Sequence, residues 1–130
     1  MADAETAKVQ TVSKTIVWAL EGTLAATANA SFEIPVPTDL TCTNVWINVK
    51  TAPTGTSLIV DVNKGGSTIF GTQANRPAIA AGSTNAVSGS VSVSAFGAGQ
   101  ILSVDVDQVG STVAGADLVV SVRCTEKVKK

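Results

Sequence analysis

SLIVDVNKGGSTIFG, residues 57–71, is the stretch whose reading decides the fold. Leu58, Val60 and Val62 fall on alternate positions, and so do Asp61 and Asn63. An extended chain sends successive side chains to opposite faces, so the aliphatic residues share one side and the polar pair the other. Lys64-Gly65-Gly66 supplies turn chemistry, and Ser67–Phe70 returns as a second short strand, so a hairpin is expected.

The same period of two governs the flanking sequence. Upstream, TNVWINVK (43–50) sets Val45, Ile47 and Val49 against Trp46, Asn48 and Lys50, and TAPTGT (51–56) is a turn. SFEIPVP (31–37) puts Phe32, Ile34 and Val36 on one face, with prolines that confine it to a sheet edge or strand end. TLAATANA (23–30) lacks helix caps and an apolar stripe, and reads as a loop or weak strand. KTIVWAL (14–20) reads as a strand with Trp18 in the core beside Ile16 and Leu20.

Downstream, residues 71–89 hold few large apolar side chains and form the longest connection, a crossing between sheets. SGSVSVSAF (88–96) alternates serine with valine and reads as a half-buried strand. QILSVDVDQV (100–109) turns Leu102, Val104 and Val106 inward, and DLVVSVRC (117–124) does the same with Leu118, Val120 and Val122. About eight strands at roughly ten-residue spacing, with almost no helix, point to an all-β, jelly-roll-like sandwich of antiparallel strands. The expected boundaries are an extended N-terminal arm over 1–13, the sandwich over 14–124 and a basic tail over 125–130.

Composition narrows what such a domain does. The 130 residues suffice for one domain, and 15% charged with 45% hydrophobic residues suits a turn-rich sheet protein. A net charge of −1 gives no basic field for nucleic acid or an anionic membrane, and no apolar run is long enough to span one. MADAETAKVQTVSK has no apolar leader core, so synthesis and retention in the cytoplasm are expected. In that reducing compartment Cys42 and Cys124 are expected as buried or half-buried thiols; pairing them would require the fold to join their strand ends.

The chain has no His and no Tyr, which removes the commonest general base and zinc ligand. Serine and threonine abound, but no base stands in a recognised arrangement beside them, so no catalytic residue, cofactor or metal is expected. KGGS and FGAGQ are followed by strands rather than helices, which excludes a phosphate loop. Asp105 and Asp107 project together from one strand face, and Asp61 joins them if the two strands are neighbours. Three such carboxylates would suit calcium. The stronger reading is a polar stripe opposite the core, balanced by Lys50, Lys64 and Arg123. Trp46, on the face opposite Val45 and Ile47, suggests contact with a partner subunit, ahead of edge packing or a platform for sugar.

Three pieces in this order, TAPTGTSLIVDVNKGGSTIF (51–70), NRPAIAAGST (75–84) and QILSVDVDQVGSTVAGADLVVSV (100–122), resemble a domain of tailed-bacteriophage virion proteins. The likeness rests on residues such as Pro53, Gly55, Asp61, Asn63, Arg76, Pro77, Asp107, Gly110 and Gly115, and spans about 43–123. It implies a jelly-roll sandwich that assembles as trimers, found in capsid decoration (cement) proteins and in tail or fibre modules. A free-standing domain without a coiled coil fits the former. The expectation is a non-enzymatic virion protein that stabilises the capsid surface as a homotrimer on the major capsid protein, made in the host cytoplasm. The alternative is a tail or fibre module that binds a receptor or carbohydrate. The expected contact residues are Trp46, Asp61, Asn63, Arg76, Asp105 and Asp107, and the expected contact segments are 1–14 and 71–89.

Overall fold

The computed structural model describes residues 9–129. Four long strands form its frame: β1 (Val9–Thr23), β3 (Leu40–Thr51), β9 (Ile101–Gln108) and β10 (Ala116–Lys129). With them run β2 (Ile34–Pro35), β4 (Leu58–Lys64), β5 (Ser67–Thr68), β6 (Ala78–Ile79), β7 (Asn85–Val87) and β8 (Ala95–Phe96). One 3₁₀ turn, Gln73–Asn75, interrupts them. The first sheet has the order β1-β10-β3-β7, with β8 also on β3; the second has the order β2-β9-β4-β5, with β6 also on β4.

The pairing is nested. β1 pairs with β10, β2 with β9, β3 with β7 and β8, and β4 with β5 and β6, all antiparallel. That is one long hairpin rolled until its arms lie in two facing sheets, the connectivity of a jelly roll. Counting β5 with β6 and β7 with β8, since each pair flanks the same side of one strand, leaves eight positions.

Alternation places the core. Val45, Ile47, Val49, Leu118, Val120 and Val122 from the first sheet meet Leu58, Val60, Val62, Leu102, Val104 and Val106 from the second, all buried. Phe70 and Phe96 supply the bulk that short aliphatics cannot. Trp18 is buried and donates from Nε1 to the Phe32 carbonyl at 2.6 Å.

Three expectations are corrected. Residues 9–13 are not arm: they pair rung by rung with 125–129, from Val9 opposite Lys129 to Ser13 opposite Thr125. This ribbon is joined through backbone bonds, which need no apolar alternation to signal them. Its side-chain ties are the Lys14–Glu126 ion pair (3.7 Å) and the Thr38 hydroxyl donating to Glu126 (3.1 Å). Residues 1–8 of the expected arm, and Lys130, lie outside the described residues.

Phe32 is not core but 83% exposed, because the chain bends at Ser31 and breaks the parity that Ile34 and Val36 follow. Residues 88–96 are a strand only at Ala95–Phe96. Ser88 bonds to Val45 in the first sheet, Ser92 and Val93 donate to Ile69 O by the second, and Ser94 accepts from Cys42 in the first. A segment that crosses between sheets cannot keep a ladder with either, whatever its alternation.

Candidate interaction surface

The polar face of the β4–β5 hairpin lies on the outside of the second sheet, but it is not open. Asp61 stands directly opposite Asp105, and Asn63 opposite Ser103. Asp61 is 5% and Asn63 8% exposed. Asp61 Oδ1 accepts from the Thr68 hydroxyl (2.7 Å) and the Val62 N–H (2.8 Å). Asp105 accepts from Asn63 Nδ2 and from the Asn29 N–H, both at 2.8 Å. β9 carries one extra residue between the Val60–Val106 and Ile59–Gln108 pairs. Asp107 is that residue, and it meets Arg76 in an ion pair while Arg76 Nε donates to Gln73 O (2.9 Å).

The condition under which Asp61 joins Asp105 and Asp107 is met, since β4 and β9 are neighbours; the structure adds Arg76, which the sequence did not place beside them. As contact residues, Asp61 and Asn63 need correction: they lie beneath Thr68, whose hydroxyl also takes a hydrogen bond from Gln73 Nε2, and have no surface to offer. Each of the three carboxylates has a protein donor, and no metal-ligating cluster occurs among the described residues.

Burial pushes the Asp61 carboxyl above its ordinary value of 3.8, aided by the charge of Asp107 and opposed by the Thr68 and Val62 hydrogen bonds and by Arg76. The folded state thus holds the Asp61 proton more tightly than the unfolded chain. The resulting stabilisation is fully present below the unfolded pKa and is lost as pH rises through the folded one. Asp61→Asn keeps an oxygen to accept from Thr68 and Val62 and removes the charge facing Asp105. Its melting temperature at neutral pH is expected to exceed the wild type's by a few degrees, with that loss on raising the pH abolished. Thermal scans from pH 3 to 7 check both.

The outer face of the first sheet is different in kind. The registers align Val17, Ser121, Trp46 and Val87 in one row across four strands. Ala19, Val119, Asn48 and Asn85 form the next row. Val17 is 50% and Trp46 38% exposed, and Val87 and Val119 are exposed as well. Arg123 lies over the indole with its guanidinium carbon 4.6 Å from the ring centre, and Trp46 Nε1 donates to Asn44 Oδ1 at 3.0 Å. Those two contacts fix the ring and occupy one of its faces. Beside it Asn48, Asn85, Val119 and Ser121 line a shallow depression of about 220 Å³.

This face ends in an open edge. β1 has β10 on one side and, among the described residues, no strand on the other. Val45 and Val49 bond toward the β7 side, through Ser88 and Thr84. Alternation then turns Ile16 and Leu20 toward β10, and Thr15, Val17 and Ala19 outward with their backbone N–H and C=O groups. Fifteen residues of β1 span about 50 Å, with Lys14 and Glu21 their only charges. Natural sheets shorten, bulge or cover such edges. The second sheet does so, since Thr27 and Ala30 bond to Val106 and Val104 beyond β2. Phe32 stands near the open edge, its carbonyl held by Trp18. The open edge left no signal in the sequence, because a strand's neighbours are set by topology.

These features define a class: a jelly-roll sandwich with one sheet screened by its own loops and the other presenting a weakly charged, partly apolar face and a free edge. No protein-family model matches the chain, and no curated protein matches its sequence. Among solved structures it is similar to a chain of the cyanophage Pam1 capsid asymmetric unit, at 16% identity and a TM-score of 0.52. The match covers 96% of this chain and 91% of that one, so the likeness is of whole fold to whole fold.

Proposed function

We propose that this protein is a non-enzymatic structural component of a tailed-phage virion, a decoration protein that binds the capsid shell as a homotrimer through the outer face and β1 edge of its first sheet. The observation that carries the reading is the end-to-end fold likeness to a chain of a capsid asymmetric unit. Two further features support it. An exposed row of Val17, Trp46 and Val87 has the aromatic and aliphatic composition, and the scarcity of charge, found at the centre of protein interfaces. Many identical copies on a symmetric shell let a modest contact stabilise the assembled state by mass action.

The test is co-sedimentation with shells of the cognate phage assembled without this protein. The expected result is saturable binding at a fixed ratio to the major capsid protein, with shells that resist heating better once decorated. Density for the protein on the tail, and none on the shell, in a virion reconstruction would reverse the assignment in favour of a tail module.

A further inference from the structure

Cys42 of β3 and Cys124 of β10 stand directly opposite one another, both reduced and both buried. The Cys42 N–H donates to Ser94 O, 2.7 Å away on the β8 side. Its backbone groups therefore point away from β10, which makes the cysteine pair a non-hydrogen-bonded one. At such pairs Cα atoms lie about 4.5 Å apart and the side chains are at their closest. A disulfide spans Cα separations of roughly 4.4–6.8 Å, so this pair needs no rearrangement of the strands. The register steps by one residue beside the pair, a bulge at Thr43 whose hydroxyl donates to Arg123 O. The Cys42 thiol donates to Asn44 O (3.9 Å) and the Cys124 thiol to Val122 O (3.8 Å). The facing thiol and burial raise Cys42 above the ordinary thiol range, and the facing thiol lowers Cys124.

We propose that Cys42 and Cys124 are a cross-linking site that closes into a disulfide between β3 and β10 when the folded protein meets a small-molecule disulfide such as oxidised glutathione. Cys124, as thiolate, attacks one sulfur of the reagent, forming a mixed disulfide and releasing one glutathione thiolate. Cys42 then gives its proton to solvent and attacks the Cys124 sulfur, expelling the second glutathione. The two protein sulfurs lose two electrons and the reagent's disulfide gains them. Access comes from the end of the ladder: β3–β10 pairing stops one rung further, at Thr41 and Thr125. There an open depression of about 500 Å³, lined by Leu40, Phe96 and Lys127, adjoins the last rungs. The bond ties β10 to β3 at the base of the β1–β10 ribbon, and it stays open in a reducing cytoplasm. The inference does not depend on the docking role.

The experiment equilibrates folded protein, without denaturant, in glutathione buffers from fully reduced to fully oxidised. Intact mass and thiol labelling are read after acid quenching. Expected are loss of the mass of two hydrogen atoms, loss of both thiols together, and a melting temperature higher by roughly 10 °C, all reversed by dithiothreitol. Cys42→Ala and Cys124→Ala should show none of these changes. The key comparison is between two redox forms of the unaltered chain, so it stands even if a variant folds poorly. Both thiols persisting in the oxidised buffer, a glutathione adduct retained on one cysteine, or cross-linking only between chains would overturn the proposal.

Discussion

Gly110→Ala is expected to destabilise the protein by about 3 kcal/mol or more and to lower its melting temperature by roughly 10–20 °C. Gly110 sits where the loop between β9 and β10 crosses the turn before β4. A Cβ built on it would lie 1.9 Å from Val113 O and 2.8 Å from both Thr54 N and Thr54 O. These are backbone atoms already committed to one another. Thr54 N donates to Val113 O (2.9 Å) and Thr112 N to Thr54 O (3.0 Å). The Val113 N–H adds a bond to the Thr54 hydroxyl, and the Thr56 hydroxyl donates to Val109 O. The methyl enters only if the two loops separate, which breaks several of these bonds at once. Gly97→Ala is the control. Its Cβ would meet only the tip of Gln100, at 3.4 Å, and the change should move the melting temperature little. Thermal unfolding followed by circular dichroism decides; a Gly110→Ala protein that melts within two or three degrees of wild type would show that the crossing yields.

That crossing also explains which parts of the fold were legible. The turn TAPTGT and the DQVGSTVAG stretch are far apart in sequence and lock together in space. Gly55 and Gly110 leave room for that crossing, since a Cβ on either would meet the facing loop. Parity read the inner faces correctly from Val45 to Val122, because burying one face of a sheet imposes a period of two. Parity is silent on what covers the outer face. Asp61 and Asn63 are polar and point outward as expected, yet they are buried, since Thr68 and its neighbours fold over them. Trp46 does face outward, but its row partners Val17 and Val87 were unreadable before the registers of β1 and β7 were known. The same limit hid the β1 edge, since strand order is a long-range property, whereas Phe32 was hidden by the local bend at Ser31. The 9–13 segment was missed for a different reason, that its pairing with 125–129 runs through the backbone ladder and needs no apolar alternation.

The open row gives the second large effect. Trp46→Ala is expected to weaken shell binding about 30-fold, the loss typical of a central aromatic anchor, and Trp46→Ala with Val17→Lys at least about 100-fold. Trp46 contributes little to the sandwich itself: the β3 residues that hold it are Val45, Ile47 and Val49, on the other face. Val17 likewise points away from Ile16 and Trp18, and its N–H and C=O are turned outward, so lysine there leaves the β10 ladder intact. Both variants should therefore melt within a few degrees of wild type while losing affinity, which separates docking from folding. Val113→Lys, an exposed position on the loop between β9 and β10, should keep full affinity and controls for added charge. Removing residues 1–13 is a poor test of docking, since it strips five rungs from β1 and leaves 126–129 without a partner strand. A double variant that co-sediments with shells as tightly as wild type would clear this face of the role. The search for the contact would then move to the expected segments 1–14 and 71–89.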